Sequence, residues 1–257
     1  MSNKMSLEGR KGLVVGVAND KSIAYGCAKA LRELGADLCV TYMNEKSLQY
    51  MGPLADKLGA ELILPLDVSS AAEMDTLFET LERTWGKLDF VIHSVAWSPL
   101  EELHGRLADS SSEGFCKAMD ISCHSFIRMA KKAEALMTDG GTLITMSYYG
   151  SEKVVDHYNM MGPIKAALES STRYLAAELG ERNIRVHSIS PGPMPTRAAS
   201  GIQQFDQLMD DAIARSPLHK LGTPEDVGNL AAFLVSDMGE RLTGNVIYVD
   251  AGHHVMA

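Results

Sequence analysis

Seven short apolar or β-branched runs alternate with longer helical patterns along the chain, and this alternation limits the fold more than any other feature. The runs are GLVVGV (12–17), DLCVTY (37–42), ELILPLDV (61–68), LDFVIHSV (88–95), GTLITMS (141–147), IRVHSIS (184–190) and NVIYVD (245–250). After the first, SIAYGCAKALREL places Ile23, Cys27, Ala30, Leu31 and Leu34 at helical spacing. A strand apolar on both faces needs cover on both, and an intervening helix allows successive strands to run parallel through right-handed crossovers. The expectation is an α/β fold, a doubly wound parallel sheet of about seven strands with helices on both faces. No repeat or linker interrupts the pattern, so residues 1–257 read as a single domain.

Composition narrows the function classes. With 46% hydrophobic residues the chain can bury a substantial core. Its 24 basic and 33 acidic residues give a formal charge of −9, and no Lys/Arg block marks a nucleic-acid partner. The apolar run in MSNKMSLEGRKGLVVGV is too short for a signal peptide or a membrane span, so a cytoplasmic protein without a membrane partner is expected. Cys27, Cys39, Cys116 and Cys123 form no CxxC pair and have apolar neighbours, as reduced core thiols do. There is no HExxH spacing, and a bound metal is not expected. His253 and His254 read as a solvated tail or an oligomer contact. Pro191 to Pro224 holds five of the nine prolines and follows a strand, where a mobile substrate lid is common.

The first run leads into GVANDKSIAYG. Gly16 stands where the backbone must turn into a helix, and Ser22 is placed to cap that helix and to aim hydroxyl and amide groups at a pyrophosphate. Small Ala18 and Ala24 permit close approach. An ordinary strand-to-helix turn with a capping serine accounts for the same residues. After the second run, TYMNEK has no acidic residue for a ribose 2′-hydroxyl and no arginine for a 2′-phosphate. Met43 can pack on an adenine, and Glu45 disfavours an added phosphate, partly offset by Lys46, so NADH is favoured over NADPH. Asp67 and Val68 suit an adenine edge, although Asp67 serves equally as a helix cap before SSAAEM. In HSVAWSP, small Ser94 and Ala96 leave room for a ligand at the carboxyl edge of the sheet, and Trp97 is either a pocket wall or plain core.

The fifth run ends in SYYGSEKVVDHYNMMGPIK, in which Tyr158 stands seven residues before Lys165. On one continuous helix the two side chains share a face about 10.5 Å apart along the axis. The spacing predicts Tyr148 at a strand edge and Tyr158 and Lys165 on the next helix. Taken with GVANDKSIAYG, LDVS, HSVAW, SYYG, YNMMGPIKAALE, SPGPMPTRAASGI and VDAG, all in order, this stretch resembles the short-chain dehydrogenase/reductase superfamily. More narrowly, it resembles the bacterial enoyl-acyl-carrier-protein reductases of the FabI type, whose seven-residue Tyr–Lys interval accompanies C=C reduction; carbonyl-reducing members use four.

The resemblance implies a Rossmann-like reductase fold, NADH as cofactor, and reduction of trans-2-enoyl thioesters on acyl carrier protein in fatty acid synthesis by a homotetramer. It implies that Tyr158 donates to the enolate oxygen, Lys165 holds the nicotinamide ribose, and Tyr148 lines the acyl pocket. By the same resemblance Gly16, Ala18, Ser22, Ile23, Met43, Asp67, Val68, Ser94, Ala96, Met194 and Thr196 contact the cofactor. Ala96, Trp97 and Ser98 join the two tyrosines at the substrate, and a lid spans about 194–215. The chain departs from its relatives at Ala96, where many have glycine, and at Gln203, Asp206 and Gln207, where carrier-docking relatives are often basic. A paralogue acting on CoA thioesters and an inactive nucleotide-sensing protein are the rival readings.

Overall fold

A computed structural model describes residues 4–197 and 199–256. Its elements in chain order are β1 (Lys11–Val15), α1 (Ile23–Glu33), β2 (Asp37–Tyr42), α2 (Glu45–Leu58), β3 (Leu62–Pro65), α3 (Ala71–Trp85), β4 (Phe90–His93), α4 (Leu100–His104), α5 (Ser112–Met119), α6 (Ser125–Leu136), β5 (Gly141–Met146), α7 (Met161–Leu179), β6 (Ile184–Pro191), α8 (Phe205–Arg215), α9 (Pro224–Val235) and β7 (Val246–Val249). A π-helical turn, Asp120–His124, joins α5 to α6. All seven strands are parallel, in the order β3-β2-β1-β4-β5-β6-β7. The expected Rossmann-like, doubly wound sheet is present.

Strand residues alternate between two cores because successive side chains point to opposite faces. Leu13, Val15, Cys39, Val91 and Leu143 pack with α3, α6 and α7. Val14, Leu38, Val40, Phe90, Ile92 and Ile144 pack with α1, α2 and α9. Most expected runs overshoot their strands. The first stops at Val15 because Gly16 adopts φ +105°, and the fourth stops at His93, two residues before the expected end.

Helix starts are set by local chemistry. Ser22, Ser70 and Thr223 accept backbone N–H bonds at the starts of α1, α3 and α9, and Thr223 and Asp226 complete a capping box. Ser70 therefore takes the capping role weighed for Asp67. Asp67 instead accepts from Ser69 N and Oγ at 2.9 and 2.7 Å, closing the turn before the cap.

Two expectations are corrected. Cys27, Cys39 and Cys123 are buried free thiols, but Cys116 lies on the exposed face of α5 and is no core thiol. The histidine pair is not a solvated tail: His253 is buried against Tyr149, and His254 stacks on Tyr248 at 3.7 Å while pairing with Asp250 at 2.9 Å. A short 3₁₀ turn after β7 folds these residues back over the sheet end. Among the described residues no helix is long and apolar enough to cross a membrane.

Helices α1 and α9 pack tightly at Gly26, where a Cβ would sit 2.1 Å from the Pro224 carbonyl oxygen. Gly26→Ala should therefore destabilise the protein by about 1–3 kcal/mol. Guanidinium unfolding should show a lower midpoint at unchanged slope, and an unchanged midpoint would mean that the helices part freely.

Candidate active site

The parallel order leaves a crevice at the carboxyl edge between β1 and β4, where the chain leaves neighbouring strands toward opposite faces. A cavity of about 420 Å³ opens there. Gly16 permits it. A Cβ on this residue would lie 2.0 Å from the Ser94 carbonyl oxygen, and its positive φ suits glycine. Ala18, Ser22 and Ile23 line the same end of the cavity at the start of α1. The Ser22 hydroxyl is already engaged, donating to Asn19 O at 2.7 Å and accepting from Tyr25 N at 3.4 Å. What this end offers an anion is thus chiefly the helix start and its backbone.

Ser94, Ala96, Trp97 and Ser98 form the next stretch of wall, followed by Tyr148, Tyr158, Lys165, Met194 and Thr196. The fold therefore gathers thirteen of the candidate residues around one space. Met43, Asp67 and Val68 do not line it. They follow β2 and β3, farther along the same sheet edge. Trp97 is wall rather than core, 40% exposed, with the Lys117 ammonium 5.1 Å from its ring centroid. Of the expected lid, Ala198 lies outside the described residues, while Arg197, Ala199, Gly201, Ile202, Phe205 and Leu208 also line the cavity.

Tyr158 is not on a helix, contrary to the sequence expectation. It sits in a turn flanked by His157 at φ +61° and Asn159 at φ +40°, and α7 begins only at Met161. Left-handed residues on both sides break the helical path, so the axial separation estimated for an unbroken helix does not apply. The turn brings the Tyr158 ring edge-on to Tyr148, with centroids 4.9 Å apart. Burial pushes both phenols well above the ordinary tyrosine value, so they are neutral donors at neutral pH. Tyr149 and Lys153, four residues apart, form no rival pair: Lys153 is exposed and neither lines the cavity.

Lys165 is 4% exposed and donates to Met146 O at 2.7 Å. Burial pulls its pKa down to about 8, opposed by the nearby Cys123 and Glu169. Glu169, one helical turn on, is a site residue the sequence reading missed. Its carboxylate accepts from Ser147 and from Ser151, the latter at 2.7 Å, and so grips the segment on both sides of Tyr148. The available signal was the four-residue Lys165–Glu169 spacing on the apolar face of a helix.

Also missed was the anchoring of Trp97. Ser122, in the π-helical turn, accepts from Trp97 N and donates to Trp97 O, both at 2.8 Å. The following Ser125 bonds the His93 ring at 2.8 Å, whose other nitrogen meets Thr145 at 3.0 Å. Burial, with the Lys165 charge, pushes His93 down to about 3, so it is a neutral link between strands and helix.

The residues fit a dinucleotide on two grounds: a glycine-cleared cradle at a helix start, and a buried ammonium beside neutral phenols at the far end of the same cavity. Among the described residues no group of three or more His, Cys, Asp or Glu side chains is placed to hold a metal. The arrangement suits donation of a hydrogen bond to a developing oxyanion.

The family model described as Enoyl-(Acyl carrier protein) reductase matches residues 16–254. The chain is 46% identical over 250 residues to the Enoyl-[acyl-carrier-protein] reductase [NADH] 1 of Rhizobium meliloti strain 1021, covering 97% of this chain and 92% of that protein. Among solved structures, the Anaplasma phagocytophilum enzyme in complex with NAD superposes with a TM-score of 0.95 at 49% identity, over 98% of this chain and 96% of that one. The Bacillus cereus reductase with NADP+ and indole naphthyridinone also gives 0.95, at 40% identity and 98% coverage of both chains.

The buried ammonium has a measurable consequence. Its folded pKa of about 8 lies below its ordinary 10.5, so the ligand-free protein carries a charge-burial cost of about 3 kcal/mol below pH 8. As pH rises from 8 to 10.5 the folded state binds fewer protons than the unfolded state, and stability rises. Lys165→Met should lack that rise and exceed the wild type most at pH 7. Chemical denaturation across this window checks it, and parallel wild-type and variant curves would contradict it.

Proposed function

Because the chain belongs to the enoyl-(acyl carrier protein) reductase family, we propose that it uses NADH to reduce the C=C bond of trans-2-enoyl thioesters carried by acyl carrier protein. The observation that carries this reading is the buried, neutral Tyr158 phenol set against Tyr148 in the cavity that also holds Lys165. When bound, NADH supplies a hydride to the β-carbon of the enoyl group. Negative charge then collects on the thioester oxygen, and Tyr158 donates its O–H there; a pre-aimed donor stabilises this charge more than it does the neutral substrate. A proton taken up from solvent at the α-carbon completes the reduction, so hydride and proton together saturate the C=C bond and Tyr158 keeps its own O–H. Tyr148 walls the acyl group, with Ala96, Trp97 and Ser98 beside it.

Lys165, charged at neutral pH, holds ribose hydroxyls in this reading and keeps the cofactor in register with the phenol. Gly16, Ala18, Ser22 and Ile23 receive the pyrophosphate side, Met43, Asp67 and Val68 the adenosine side, and Ser94, Ala96, Met194 and Thr196 the nicotinamide side. The segment from about 194 to 215 acts as the lid. Assembly as a homotetramer belongs to the same proposal, and exposed Tyr174 and Val255 supply apolar surface for it.

Tyr158→Phe should lower kcat by roughly 10²–10³ while the NADH Kd stays within about twofold, because one oxyanion donor is lost. Lys165→Ala should instead weaken NADH binding by about tenfold, the loss of a charged hydrogen bond. Rapid-mixing rates and cofactor titration separate the two. Unchanged chemistry in the phenylalanine variant would remove Tyr158 from its role.

Carrier docking makes a second demand. Exposed Asp206, Asp210 and Asp211 lie along α8 beside the cavity, whereas Arg215 and Lys220 offer positive charge at its far end. An acidic carrier is drawn to that far end. Alanine at Arg215 and Lys220 together should raise KM for the carrier-bound substrate and leave that of a CoA ester nearly unchanged. Wild-type kcat/KM on the carrier substrate should fall with salt as the screening length shortens to about 8 Å near 0.15 M. A flat salt profile with equal use of the CoA ester would favour the paralogue on free thioesters.

A further inference from the structure

We propose that Asn159 is a positioning residue for Tyr158, and that through α4 it couples the tyrosine to the segment covering the cavity. The proposal rests on the reading of Tyr158 as the phenol that donates a hydrogen bond to the enolate oxygen.

Asn159 follows Tyr158 directly and adopts φ +40°. Its Nδ2 donates to Leu103 O at 2.6 Å, across 56 residues of sequence. Leu103 is the penultimate residue of α4, a five-residue helix whose last carbonyls have no partner within it. The asparagine amide satisfies one of them and pins the Tyr158 turn to the helix end. The next residue, His104, reaches the other way: its Nε2 donates to Gly201 O at 2.8 Å, in the segment that covers the cavity. Leu103 itself is buried and lines the cavity together with Gly201 and Ile202.

Two hydrogen bonds thus leave adjacent residues of one short helix, one toward the reacting phenol and one toward the cover. The Tyr158 turn lies before α7 and is held locally by backbone bonds, Tyr158 N to Val155 O at 3.2 Å, Met161 N to Tyr158 O at 3.0 Å and Gly162 N to Asn159 O at 3.1 Å, and α4 adds a restraint from a distant part of the chain. When the cover is seated, His104 holds the end of α4, and Leu103 O is in place for Asn159. A misplacement of about 1 Å at a reacting group costs on the order of 10²-fold in rate, so such a restraint affects turnover without touching the substrate. An asparagine at positive φ has a simpler explanation as well, since its side chain tolerates that conformation. The two explanations separate at glycine, which keeps the backbone freedom and removes the amide.

Asn159→Gly should lower kcat roughly tenfold or more with the NADH Kd unchanged, and Asn159→Asp, which cannot donate, should do the same. His104→Ala should raise KM for the enoyl thioester and lower kcat, and His104→Gln, whose amide presents a donor at similar reach, should restore both. The double variant Asn159→Gly/His104→Ala should fall less than the two single effects combined, as coupled residues do. Amide hydrogen exchange over residues 199–208 should quicken in both single variants, and this readout needs no turnover. A wild type inactive on enoyl thioesters would refute the reaction, while the exchange comparison would still decide the coupling. Wild-type kcat in Asn159→Gly, additive double-variant effects or unchanged exchange would each overturn the proposal. His104 is exposed, so its variants keep the test available even if those at Asn159 fold poorly.

Discussion

The parting of the chain after β1 and β4 is the constraint on which the rest of this structure depends. The two strands pair side by side, and Ser94 N still donates to Val15 O at 3.0 Å as they end. Right-handed crossovers then send β1 toward β2 and β4 toward β5, so the following segments must separate. The crevice this creates needs no carving by side chains. It needs only that the turn at Gly16 be narrow enough to pass Ser94.

Around that opening, rigidity comes from polar groups buried with partners. Lys165 and Glu169 are charged residues on the inner face of α7, each tied to the segment that carries Tyr148: the lysine to Met146 O, the carboxylate to Ser147 and Ser151. Burying an unpaired charge would be far costlier than burying these. The same logic holds on the other wall, where His93, Ser125 and Thr145 satisfy one another and Ser122 fixes both backbone groups of Trp97. Buried networks whose members are satisfied rigidify a site, and here they fix main-chain segments more than side chains.

The remaining wall of the cavity comes from the segment after β6. Ala199, Gly201, Ile202, Phe205 and Leu208 line it, and His104 Nε2 donates to Gly201 O at 2.8 Å. The exposed Asp206, Asp210 and Asp211 lie on α8 of this same segment, so its charge and its cavity wall belong to one element.

The sequence by itself determined the layered sheet. Short apolar runs and 3.6-residue helical patterns are local signals, and the resulting strands match six of the seven expected runs to within two residues at either end. The third run overshoots by three, where the chain turns out of β3 at Pro65 toward Asp67. The cap at Ser22 was legible for the same reason, since a cap and its helix are neighbours in sequence. Only the tertiary structure decided where Tyr158 sits, because two left-handed residues interrupt a stretch whose spacing reads as helix. It alone brought Ser122 to Trp97, Glu169 to Ser147 and Asn159 to Leu103, which lie 25, 22 and 56 residues apart. Such contacts have no period. They follow from which helix ends and strand ends the sheet order places together, and that order is a property of the whole chain.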